Sequence, residues 1–84
     1  MENFPELNGT EVALIRADSL TGHVLDENFD LALKDSQVVF SVFNDAAVAL
    51  SFAQSIISQH RAIECVIYGK NKEVIHYITA TNIM

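Results

Sequence analysis

Between Asp45 and Arg61 no residue carries a formal charge, and this stretch constrains the fold more than any other in the chain. Its apolar residues recur with helical spacing: Ala46, Ala49, Leu50, Ala53, Ile56, Ile57 and His60 gather on one side at about 100° per residue. Asn44-Asp45 supplies oxygens for an N-cap, and the Asp45 carboxylate suits the positive end of a helix dipole. The spacing predicts a helix from Ala46 to about Arg61, with Arg61 in its last turn. The neighbouring runs read with a strand's character instead. Glu11 to Ala17 and His23 to Asp26 read as strands around the turn Asp18-Ser19-Leu20-Thr21-Gly22. Residues 27–36 are acidic, with Phe29, Leu31 and Leu33 alternating, and read as a loop or short irregular strand. Gln37 to Phe43 is rich in β-branched and aromatic residues and reads as a central strand buried on both faces. Ala62 to Tyr68 and Glu73 to Thr79 form a closing hairpin.

One helix among several strands predicts an α+β fold. Its sheet, antiparallel or mixed, has about four to five strands, with one main helix on one face and the order β-β-β-α-β-β. The 84 residues make a single domain, 1–84, in which residues 1–9 form a loosely held N-terminal arm that holds the only proline and ends at the turn dipeptide Asn8-Gly9.

Charge narrows the partners. The net charge is −6 and the pI about 4.7. The five cations, Arg16, Lys34, Arg61, Lys70 and Lys72, form no run, so nucleic acid is excluded as a direct partner. Nine of the eleven acids precede Ala46, which gives the first half an acidic field able to steer a basic protein. With Cys65 alone no intramolecular disulfide forms, which points to a reducing cytoplasm. The start, Met1-Glu2-Asn3-Phe4-Pro5-Glu6, lacks the basic and apolar regions of a signal peptide. The longest uncharged stretch, 46–60, is too short and too polar to span a bilayer.

Two surfaces look unfinished. On the helix, Ala47, Ser51, Gln54, Ser55 and Ser58 face outward, with Val48 and Phe52 on the flank. A solvated face would normally mix Lys and Glu there. On the hairpin, a two-residue Lys70-Asn71 loop sets Ile67 opposite Val74, Cys65 opposite His76 and Ile63 opposite Ile78. The other face then carries Val66, Tyr68, Ile75 and Tyr77 beside Glu64 and Glu73, an apolar patch that one helix cannot cover as well.

Candidate chemistry is sparse. Cys65 and His76 as cross-strand neighbours resemble a nucleophile and base or half a metal site, but on a core face they read as a buried thiol beside a hydrogen-bonded histidine. Asp26-x-Asn28-x-Asp30 copies the first ligand positions of a calcium loop, but Leu31 stands where glycine belongs and Gln37 where a bidentate glutamate belongs. His60 reads as a partner for helix C-terminal carbonyls. The chain holds no Gly-x-Ser-x-Gly, phosphate-binding glycine loop or dinucleotide fingerprint. The expectation is therefore a protein without catalysis, metal or cofactor.

Val42-Phe43, Ala47, Ala53, Val66-Ile67-Tyr68-Gly69 and Val74-Ile75 carry a resemblance, over about residues 38–78, to a group of small bacterial domains of unknown function that pair a strand–helix unit with a C-terminal hairpin. The resemblance implies a fold and no activity. A second similarity is to the strand–helix core of small antitoxin-like domains. The acidic character fits that type, but the glycine and cysteine features expected before the helix are missing.

These readings converge on an interaction module that is not an enzyme and self-associates as a homodimer or binds another protein. Val48, Phe52, Val66, Tyr68, Ile75 and Tyr77 are its candidate interface or ligand residues. The alternative is an acidic inhibitor of a basic enzyme, in the manner of an immunity protein or antitoxin, contacting its partner through Asp26, Glu27, Asp30 and Asp35.

Overall fold

The apolar run Val12-Ala13-Leu14-Ile15 opens the strand β1 (Val12–Asp18), and its first three residues are all buried. The computed structural model describes residues 2–82. One edge of β1 pairs with β4 (Ile63–Tyr68), from Ala13 opposite Tyr68 to Asp18 opposite Ile63. The other edge is shared: β3 (Ser41–Phe43) takes residues 12–14, and β2 (Val24–Leu25) takes Arg16 and Ala17. Beyond β4 lies β5 (Val74–Ile78). All pairings are antiparallel and the sheet has five strands, so the fold is α+β with the order β-β-β-α-β-β.

The helix α1 (Ala46–Gln59) starts at an N-cap in which the Asp45 carboxylate accepts the Val48 N–H at 2.9 Å. Such a cap contributes about 1 kcal/mol. Ala49, Ala53, Ile56 and Ile57 are buried in one cluster with Val12, Leu14, Ile63, Cys65, Ile67 and Ile78. The two alanines allow a close approach to the sheet, and each buried isoleucine contributes roughly 1.5–3 kcal/mol. His60 leaves the expected core face: it is the C-cap, at φ −134° and ψ 81°, and its ring is exposed. Arg61 likewise lies past the helix, where its guanidinium donates to the Ala80 carbonyl at 3.0 Å.

The strand expected at 37–43 is shorter and differently placed. β3 keeps only Ser41–Phe43 and lies at an edge, while β1 and β4 take the centre. Residues 38–40 spend their backbone groups elsewhere. The Val38 carbonyl accepts from Glu27 N–H, and the Val39 and Phe40 N–H groups donate to the Glu2 carboxylate at 3.0 Å. β-Propensity marks a segment suited to burial on a sheet, but not which neighbour covers it.

The closing hairpin also departs from expectation. Its loop has three residues, Lys70-Asn71-Lys72, with Gly69 N–H donating to Glu73 O and Lys72 at φ +65°. A further irregularity between Ile67 and Tyr68 places Cys65 opposite Ile78 and Ile67 opposite His76. The register is displaced by two residues, and an even displacement returns side chains to the same face. Ile78 therefore stays in the core, whereas Val74, on the turn side of the irregularity, is 58% exposed.

Residues 27–36 form a loop carrying one bridge, Leu25 to Leu31. The arm, read as loosely held, is packed: Leu7 is buried, and Phe4 meets both Phe40 and Tyr68 edge to face. It lies over the face opposite the helix, where alternation along β1 and β4 puts Ala13, Ile15, Val66 and Tyr68. Among the described residues no helix is long and apolar enough to cross a membrane.

Candidate interaction surfaces

The helix flank forms one surface. The Phe43 ring, at the end of β3, meets the Phe52 ring at 5.0 Å. With Ala47, Val48, Ser51 and Ser55 they line a shallow groove of about 520 Å³. Val48 and Phe52 are 51% and 43% exposed. The groove forms where β3 ends at Phe43 and α1 starts two residues later, after the Asp45 N-cap, so that Phe43 reaches the Phe52 ring. Small and apolar side chains without charge suit close packing against another apolar face.

The six candidate residues do not share one surface. Val48 and Phe52 lie on the helix, while Val66, Tyr68, Ile75 and Tyr77 belong to the hairpin. Tyr68 is half-buried against Phe4, 5.9 Å between centroids. Tyr77 lies opposite Val66, and its hydroxyl donates to the Glu64 carboxylate at 2.6 Å. That bond, with the neighbouring negative charge, raises the Tyr77 phenol above its ordinary pKa. Ile75 and Tyr77, 40% and 51% exposed, remain open on the edge strand β5.

The acidic segment divides as well. Asp26 is buried, and one carboxylate oxygen accepts the N–H groups of Asn28 and Asp30 at 2.8 and 3.0 Å. The other accepts the Gln37 side-chain amide at 2.7 Å. The Gln37 bond, followed by those from Asp30 and Asn28, holds this carboxyl below the usual carboxylate range despite its burial. Asp26 thus organises the loop from inside, and its oxygens are committed to the chain's own donors. Glu27, Asp30 and Asp35 are exposed, together with Leu31 and the 82%-exposed Leu33.

Cys65 and His76 are not directly opposed, because the hairpin register sets each against an isoleucine. Cys65 is opposite Arg16 instead and fully buried. Burial pushes its thiol up to about 11, against the opposing pull of Arg16. A thiol held protonated at neutral pH is a poor nucleophile and a poor metal ligand. Arg16 is itself 2% exposed and sits where the edge of β1 passes from β3 to β2. It donates to Ser41 Oγ at 3.0 Å and to the Val39 carbonyl at 3.1 Å, while its Nε has no partner. Among the described residues no group of three or more His, Cys, Asp or Glu is placed to hold a metal ion.

Three residues that matter to these surfaces carry no local sequence signal for that role. Phe43 completes the helix groove, and Phe4 and Phe40 flank Tyr68. An aromatic residue between Glu2 and Glu6 is a signal at Phe4, but not of that role, because its partners are 36 and 64 residues away along the chain. Comparison with known proteins finds no matching family model, no matching curated protein and no matching solved structure.

Proposed function

We propose that this protein is a non-catalytic interaction module of the cytoplasm that works as a homodimer joined along the helix flank. The observation that carries this reading is the uncharged groove around Phe43, Val48 and Phe52. The helix flank is favoured over the sheet face because the N-terminal arm already occupies part of the latter. Light scattering behind a sizing column, on reduced protein across a concentration series, tests it. The wild type elutes as a dimer, and Phe52→Glu weakens the dimer at least about tenfold while its circular dichroism is unchanged, because a carboxylate is forced into an apolar contact. A wild type that stays monomeric at every concentration refutes the reading.

The alternative, an acidic module that docks a basic protein, draws support from exposed Leu31 and Leu33 set among Glu27, Asp30 and Asp35, which combine apolar anchors with negative charge. Its complex weakens steeply with salt. A complex insensitive to salt counts against it.

A further inference from the structure

Opposite the helix, the N-terminal arm and the β4–β5 turn line an open cleft of about 450 Å³, within the size range of small-molecule sites. Three rings stand around it. Phe4 meets Phe40 with 5.3 Å between centroids and 72° between planes, and meets Tyr68 at 5.9 Å and 86°. Phe40 and Tyr68 therefore stand nearly perpendicular to Phe4, as adjacent walls. Ile15 adds apolar surface, and Glu2, whose Oε1 already accepts the Val39 and Phe40 N–H groups, adds its negative charge beside the same cleft. The face of an aromatic ring carries negative potential. A box of such faces beside a carboxylate is the arrangement that attracts an organic cation.

One contact within the chain points the same way. Lys72 Nζ lies over the Phe4 ring, 5.7 Å from its centroid, so an ammonium group of the chain itself stands at the mouth of the cleft. Lys72 also has φ +65°. This is the left-handed position of a three-residue hairpin loop, where glycine is unstrained and a lysine is not. An anionic occupant would face the ring clouds, the Glu2 carboxylate and a net charge of −6.

We propose that the cleft between Phe4, Phe40 and Tyr68 is a binding site for an alkylated ammonium group, with Lys72 as a resident competitor at its mouth. The site lies across the sheet from the helix groove, so it stands or falls independently of the dimer.

The test is titration of the full chain with tetramethylammonium chloride, following the ring resonances of Phe4, Phe40 and Tyr68 by NMR, with sodium chloride and sodium benzoate as references. Tetramethylammonium shifts all three rings saturably, and sodium chloride does not. Lys72→Gly, which also relieves the turn, tightens binding by roughly two- to fivefold, the scale of one exposed cation–π contact. Phe4→Leu abolishes the saturable shift; if it loosens the arm, Phe40→Leu repeats the test. Absence of a saturable shift in both the wild type and Lys72→Gly overturns the site. Benzoate binding that disappears in Lys72→Gly overturns it in favour of an anion site. Unchanged affinity in Lys72→Gly overturns the competitor role.

Discussion

Replacing Arg16 with methionine tests how this small core tolerates a buried cation. Arg16 is 2% exposed, its two hydrogen bonds go to the neutral acceptors Ser41 Oγ and Val39 O, and Nε has no acceptor. Burial lowers its pKa below the usual guanidinium value, with the fields of Cys65, Glu27 and Asp26 opposing, but an arginine remains charged. Arg16→Met loses two hydrogen bonds from a charged donor, roughly 1.5–3 kcal/mol each. It recovers the cost of burying the guanidinium, still several kcal/mol after relaxation, and that of the unmet Nε–H, roughly 1–3 kcal/mol. Methionine keeps most of the stem's volume, so no large cavity opens. The expected outcome is stability within about 2 kcal/mol of the wild type. Arg16→Ala, which also empties the space of the stem, loses roughly 2–4 kcal/mol. Urea unfolding followed by far-UV circular dichroism at pH 7 measures both, with unchanged m-values as the sign that the two-state comparison holds. If Arg16→Met loses as much as Arg16→Ala, or more than about 3 kcal/mol, the argument fails. The guanidinium would then hold residues 39–41 in place at a net gain.

Further outcomes follow from the same geometry. Cys65 is raised from an ordinary 9.0 to about 11. The folded state thus holds the thiol proton more tightly, and this contributes about 2–3 kcal/mol that is present below pH 9 and lost as pH rises through 11. Cys65→Val therefore flattens the alkaline fall in urea midpoint, and a decline parallel to the wild type contradicts this. The buried thiol also stays unreactive toward a thiol reagent at pH 8 until urea unfolds the chain, and rapid native labelling contradicts its burial. Asp26 shifts the other way: its lowered carboxyl stabilises the fold above the ordinary carboxylate pKa, and that contribution is lost as pH falls through the folded value. Asp26→Asn sets an amide against the Gln37 amide donor and lowers the urea midpoint at pH 7. It also makes stability less dependent on pH on the acid side, which acid titration followed by circular dichroism reads directly.

The elements that could be read locally are those whose signals are local. The helix begins at Ala46 as its cap and apolar spacing require, because Asp45 reaches only to the Val48 N–H. β1, β4 and β5 fall within a residue or so of their expected limits, since alternation and turn residues act over short distances. The candidate surfaces were legible only in part. Helical spacing marks Val48 and Phe52, but Phe43 joins their groove through a ring contact made across the junction of β3 and α1.

What the chain alone determined is its inventory: one uncharged helix, β-prone runs on either side, an acidic first half and a lone thiol. Tertiary structure decided the rest, because each of those outcomes depends on a competition between distant groups. Residues 38–40 had the composition of a central strand, yet Glu2 and Arg16 captured their backbone groups. Asp26 looked like a surface ligand and became an internal anchor once Gln37 came within reach. From His76 to Ile78 the hairpin keeps its expected faces, because two displacements of one residue restore a period of two, whereas on the turn side of the irregularity Val74 lies opposite Tyr68 and leaves the core face. Tyr68 seemed open until Phe4 folded across it from the other end of the chain. Side-chain spacing along the chain carries periodicity and charge, but which face is covered, and by what, is settled only when the whole chain competes for the same apolar surface.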